Sequence, residues 1–136
     1  MTITEKKKRL AQYRLTQARE SIDEATYLFR GGKSSRSVIN RVYYSMFYAI
    51  LALLVFEPFS SSKHSGVISY FNRRFIKTGE FPREIGRVVN KAFDLRQRGD
   101  YREEVEITSE QVEPFIKWGT KFLTEVEKYL RDKGHI

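Results

Sequence analysis

The chain contains no cysteine, and that absence excludes disulfides, thiolate nucleophiles and cysteine-based metal sites together. It has only two histidines, His64 and His135, too few for a zinc site built mainly from imidazoles, so no metal or other cofactor is expected. Three prolines and eight glycines in 136 residues leave little room for linkers or low-complexity tracts. No segment alternates polar and apolar residues over more than a few positions, so no strand is predicted. Glycine-rich phosphate loops, paired catalytic carboxylates and a serine–histidine–aspartate set are all missing. The N-terminus is charged but has no apolar h-region or small-residue cleavage site, so it is not a signal peptide. The most apolar run, Val42–Phe56, is closely flanked by Arg41 and Glu57 and falls short of the ~20 residues that cross a bilayer. A central core helix, no membrane association and a cytoplasmic location are the corresponding expectations.

What remains is a single basic domain spanning residues 1–136, long enough to bury a core. Hydrophobic residues make up 40% and aromatics 14%, which sets the chain apart from disordered sequences despite its net charge of +8. The charge is uneven. Residues 1–102 carry 20 basic and 9 acidic side chains, whereas residues 103–136 carry 5 basic and 8 acidic. The segment 67–102 alone has 9 basic and 4 acidic residues. Such a surface is either a solvated face of mixed sign or an electropositive face for phosphates, whose neutralisation releases counterions.

Hydrophobic periodicity predicts four long helices and one shorter helix packed as an all-α antiparallel bundle. The first runs from about Thr4 to Arg30, with Leu10, Tyr13, Ala18, Ile22, Ala25, Leu28 and Phe29 as its apolar positions, and Gly31-Gly32 ends it. The second starts near Ser34 or Ser35 and runs to about Phe56, before Pro58. A shorter helix follows from about Lys63 to Phe75, and Lys77-Thr78-Gly79 forms a turn. Pro82 opens the next helix, which Gly99-Asp100 closes. Thr108, with Gln111 three residues on, caps a last helix to about Lys133, which Pro114 bends mildly.

The second helix carries the most informative pattern. At about 100° per residue, Ser37, Arg41, Tyr44, Ser45 and Tyr48 fall within one sector of an otherwise apolar helix. An arginine there needs a carboxylate from a neighbouring helix, a symmetry mate or a bound anion, because a buried unpaired charge is strongly unfavourable.

The run Asn40-Arg41-Val42-Tyr43-Tyr44-Ser45-Met46-Phe47-Tyr48-Ala49, followed by Leu53-Leu54, resembles the signature helix of HEPN domains. Lys63-His64-Ser65-Gly66-Val67 and Leu95-Arg96-Gln97-Arg98-Gly99-Asp100-Tyr101 resemble further marks of one bacterial and archaeal branch, and the match extends roughly from Gln12 to Leu130. The resemblance implies a helical bundle, commonly a homodimer, often paired with a minimal nucleotidyltransferase as toxin and antitoxin. It also implies a metal-independent ribonuclease site, in which an arginine and a histidine separated by four to six residues share one helix. Arg41 matches that arginine, but Tyr48 stands where the branch places the histidine. Neither His64 nor His135 has an arginine at the required upstream spacing, so the motif is degenerate.

Histidine suits acid–base cleavage of RNA because its unperturbed pKa, ~6.5, lies near working pH, whereas tyrosine titrates near ~10. Arg41 and Tyr48 therefore make a phosphate-binding pair but a weak catalytic one, with His64 the remaining acid–base candidate. Arg41, Tyr44, Lys63, His64, Arg96 and Arg98 are the candidate contacts to RNA or nucleotide phosphate. Lys63 and His64 share the first turn of the third helix, where a bound anion would offset their repulsion with the helix dipole. Asp100, as a carboxylate partner for Arg41 or Arg96, and Tyr101, as an anchor, are structural candidates. Three functions follow: an RNA- or nucleotide-binding module with degenerate machinery, an active ribonuclease toxin using Arg41, Tyr48 and His64, or a structural interaction subunit.

Overall fold

The computed structural model describes residues 1–101 and 107–136, with the side chains of 98–101 outside the description. Five α-helices follow one another: α1 (Ile3–Arg30), α2 (Ser35–Leu54), α3 (His64–Phe71), α4 (Arg83–Tyr101) and α5 (Ser109–Asp132). A π-helical turn, Asn72–Ile76, continues α3. No strand occurs among the described residues.

Local signals explain most of the boundaries. Thr2 and Glu5 form a reciprocal capping box at the start of α1. Gly32, at φ +67°, supplies the left-handed residue that turns the chain out of α1. The Ser34 hydroxyl accepts from the Ser37 amide to start α2, and Thr108 with Gln111 forms the expected box on α5. Helix α5 continues through Pro114.

Three expectations are corrected. In α1, Leu10 and Tyr13 are 44% and 57% exposed. The buried seam is instead Ala11, Leu15, Ala18, Ile22 and Ala25, whose alternating four- and three-residue steps keep one stripe against α2. Beyond Phe71 the predicted third helix loosens into π geometry, with the Lys77 amide bonded to the Asn72 carbonyl at 2.8 Å. Helix α4 does not close at Gly99-Asp100 but runs through them to Tyr101, since glycine weakens a helix without forbidding it. The acidic stretch Glu103–Glu106 lies outside the described residues.

Helix α2 is the central element, packed against α1, α4 and α5. Its twenty residues pass the length and hydropathy threshold for a bilayer span that the shorter sequence run missed, yet 67% of that window is buried within the fold. Two close approaches set its neighbours. Ser45 donates to the Ala18 carbonyl of α1 at 2.7 Å, and a Cβ on Gly119 of α5 would lie 2.8 Å from Ile22 Cδ1 and 3.4 Å from Val42 Cγ1. Phe71, Phe75, Phe81 and Phe122 fill the other end of the core at aromatic contact distances.

Candidate functional site

The polar stripe of α2 divides on folding. Ser45 is fully buried and satisfied by α1, and Ser37 faces solvent beside Ser34, so neither joins the Tyr44 cluster. Arg41, Tyr44 and Tyr48 remain half-buried on one face, successive turns of the helix apart.

Tyr44 is the hub of this face. The Arg41 guanidinium lies 5.2 Å from its ring centroid and that of Arg96, from α4, lies 5.5 Å away. Arg96 Nη2 also donates to the Tyr44 hydroxyl at 3.3 Å. The His64 ring meets Tyr44 edge-on at 5.8 Å, and Tyr48 lies 5.9 Å from it. Two chain-distant basic groups, Arg96 and His64, thus join Arg41 around one phenol.

His64 is held more closely than its place in the first turn of α3 suggested. Its ring stacks on Phe47 at 4.0 Å and 22°, and its Nδ1 is 2.8 Å from the Tyr43 hydroxyl. Burial, with the Arg96 charge second, lowers the His64 pKa from its usual value, so the imidazole is neutral at neutral pH. Burial also raises the Tyr43 pKa, against a smaller opposing effect of Arg96, so that phenol keeps its proton. Helical periodicity places Tyr43 and Phe47 on the apolar face of α2. Nothing in the periodicity marks them, because their role comes from α3 folding back onto α2.

Arg41 finds the carboxylate that its position demanded, but on α1. Its Nη1 is 3.6 Å from Glu24 Oε2, and its Nε and Nη2 donate to Asn40 Oδ1 at 3.2 and 3.1 Å. Glu24 is 56% exposed, so this pair is screened by solvent and worth little. Arg41 also borders a shallow cleft with Leu28, Arg36, Ser37 and Asn40. Lys63 is exposed as the N-cap of α3. Arg98, Asp100 and Tyr101 lie outside the described side chains, so the expected pairing of Asp100 is not among the contacts described. His135 is separate, stacked on Phe56 at 3.9 Å.

The structure defines a small all-α domain built on one polar-striped core helix, with arginines, tyrosines and a histidine gathered on one face. Residues 11–129 match the HEPN domain family, and the chain belongs to it. A Thermotoga maritima protein named "UPF0332 protein" is 40% identical over 126 residues, covering 93% of this chain and 95% of that protein. "Putative toxin MJ0605" of Methanocaldococcus jannaschii is 31% identical over 115 residues, or 85% of this chain and 84% of that one. "Putative toxin MJ0142" of the same organism is 41% identical over 96 residues, 71% of this chain and 65% of the relative.

Proposed function

We propose that this protein is a toxin-like HEPN module that binds RNA through the Tyr44 face and has lost efficient ribonuclease chemistry. The observation that carries the reading is the convergence of Arg41 and Arg96 on the Tyr44 ring. Two guanidinium groups on one aromatic platform suit a phosphate flanked by a stacked base, since guanidinium binds phosphate in bidentate fashion and phenol rings stack on bases. The toxin names of two relatives support the first half of the reading. The tyrosine at position 48 supports the second, because a phenol is a poor general base at neutral pH.

In this reading the protein acts in the cytoplasm as a homodimer, and a minimal nucleotidyltransferase is its antitoxin partner; the family resemblance supplies those features. Binding should depend on salt and weaken roughly tenfold in Arg41→Ala, a loss of about 1.4 kcal/mol. RNA incubated with the wild type in chelator should stay intact, and no detectable RNA affinity at low salt would overturn the proposal.

A second reading, an active ribonuclease, is favoured by one observation: the neutral His64 joined to Tyr43 beside Arg96. Metal-free incubation separates the two. Cutting by the wild type that is lost in His64→Gln establishes the second reading, whereas cutting only by Tyr48→His pins the lost activity on position 48.

A further inference from the structure

A second basic surface lies between the π-helical turn and the first half of α4. Asn72, Arg73, Lys77, Arg83, Arg87 and Asn90 line an open groove of about 620 Å³, and no carboxylate is among its lining residues. The four cations are exposed, and among the described residues none of them is in an ion pair. Their neighbour Arg74, by contrast, is held by Glu57 and Glu80 at 3.0 and 2.9 Å. The two walls are tied together. Asn72 Nδ2 donates to Asn90 Oδ1 at 3.0 Å, and a Cβ on Gly86 would lie 2.9 Å from Ile76 Cγ2, so glycine allows α4 to approach the π turn.

The groove is in line with the Tyr44 cluster. His64 and Arg96 meet around Tyr43 and Tyr44, Asn72 bonds Asn90, and Ile76 packs against Gly86. Each advance along α3 and its π turn is matched by a retreat along α4, which makes the pair antiparallel. Arg73 lies nine residues beyond His64, and Arg87 lies nine residues before Arg96. At about 1.5 Å per residue, these two arginines lie roughly 13 Å from the cluster along the helices.

We propose that this groove carries the phosphodiester backbone of the same RNA strand whose terminal nucleotides occupy the Tyr44 cluster. The inference rests on the RNA-binding reading above and extends the site from one nucleotide to a track. Arg73, Lys77, Arg83 and Arg87 neutralise successive phosphates, and the Asn72 and Asn90 carboxamides offer donors and acceptors to 2′-hydroxyls or base edges. Alignment with the cluster is what distinguishes a nucleic-acid strand from an acidic protein partner, which would have no need of it.

The test compares a trinucleotide and a twelve-nucleotide single-stranded RNA, each binding to wild type, to a Lys77→Gln/Arg83→Gln/Arg87→Gln variant and to an Arg41→Ala variant. A Lys117→Gln/Lys121→Gln/Lys128→Gln variant removes the same charge from exposed positions on α5, and circular dichroism checks each fold. The groove variant should bind the twelve-mer at least tenfold more weakly, with its log–log salt slope shallower by about 2, and bind the trinucleotide like the wild type. Arg41→Ala should weaken both RNAs, and the α5 variant neither. Wild-type twelve-mer affinity and slope in the groove variant would overturn the track and leave the RNA-binding reading standing. Equal losses in the groove and α5 variants would overturn it as net charge alone. Unchanged RNA affinity with lost capture of a purified nucleotidyltransferase partner would assign the groove to protein. A wild type that binds neither RNA would remove both readings.

Discussion

Arg74 and Arg41 both lie against aromatic rings, yet the fold treats them differently. Arg74 lies 4.8 Å from the Phe75 ring, with carboxylates from Glu57 and Glu80 on its nitrogens. Those carboxylates in turn accept from Tyr70 and Tyr129 at 2.8 and 2.7 Å. Every charge in that network meets an opposite charge or a hydroxyl, and it joins the segments after α2, around α3 and at the end of α5. At Tyr44, two guanidinium groups share one ring, and the ion pair on Arg41 reaches only the solvent-exposed Glu24. Aromatic contact alone does not separate a binding face from a structural one. For Arg74 and Arg41 the burial of the facing carboxylate does, because a partly buried carboxylate satisfies a cation that would otherwise recruit an external anion.

The largest effect should come from breaking the closed network. Glu57, only 14% exposed, accepts from both Tyr70 and Arg74, so Glu57→Ala leaves two polar groups short of a partner. Urea unfolding should show a loss of about 2 kcal/mol, with RNA affinity unchanged. Normal stability with weakened RNA binding would erase the contrast between the clusters.

Next is Arg96→Lys, which keeps the charge but loses the planar group over Tyr43 and Tyr44. RNA affinity should fall by roughly five- to tenfold, about 1 to 1.4 kcal/mol, as read by fluorescence anisotropy. Arg74→Lys should leave RNA affinity where it was. Equal losses in the two variants would mean that the arginines serve one purpose.

The clusters should also titrate in different windows. Burial, assisted by Arg96, lowers the His64 pKa below its unfolded value near 6.5, and burial with Lys133 and Lys8 does the same to His135. Below that value the unfolded chain binds more protons, so this share of stability is complete above about pH 6.5 and is lost as pH falls through the folded values. Glu80 behaves at lower pH. Burial would raise its pKa, but hydrogen bonds from Tyr129 and Arg74 outweigh it and hold the carboxyl below 4.5. Its share of stability is present above pH 4.5 and disappears only beneath it. Urea midpoints measured between pH 7.5 and 5.5 should decline in the wild type and less so in His64→Gln, while Glu80→Gln should flatten the curve only below pH 4.5. A His64→Gln curve parallel to the wild type would show that the imidazole titrates as it does in the unfolded chain.

The sequence made the helices legible because caps, glycines and four- and three-residue steps are local. Thr108 with Gln111 and Ser34 did at the backbone what their side chains suggest. The site was legible only as far as it lies on one helix. Arg41, Tyr44 and Tyr48 share a face by helical arithmetic, but the same arithmetic kept Ser45, which α1 buries, and passed over Tyr43 and Phe47. His64 and Arg96 reach the cluster from segments 21 and 52 residues away from Tyr43 and Tyr44, a meeting that no periodicity encodes. Leu10 and Tyr13 erred for a related reason: several apolar positions in α1 fit a helical repeat, and only contact with α2 selects the alanine-rich seam.

The smallest effect falls on the solvent-exposed carboxylate that faces Arg41. Glu24→Gln removes the charge facing Arg41 across 3.6 Å without shortening the side chain. Because the pair is solvent-screened, stability should stay within about 0.5 kcal/mol of the wild type. RNA affinity should rise, by no more than two- to threefold, as Arg41 no longer divides its attraction between Glu24 and phosphate. The gain should be largest at low ionic strength and vanish as added salt shortens the screening length. A fall in affinity would mean that Glu24 positions Arg41 for the ligand, and Arg41 would then depend on a carboxylate just as Arg74 does.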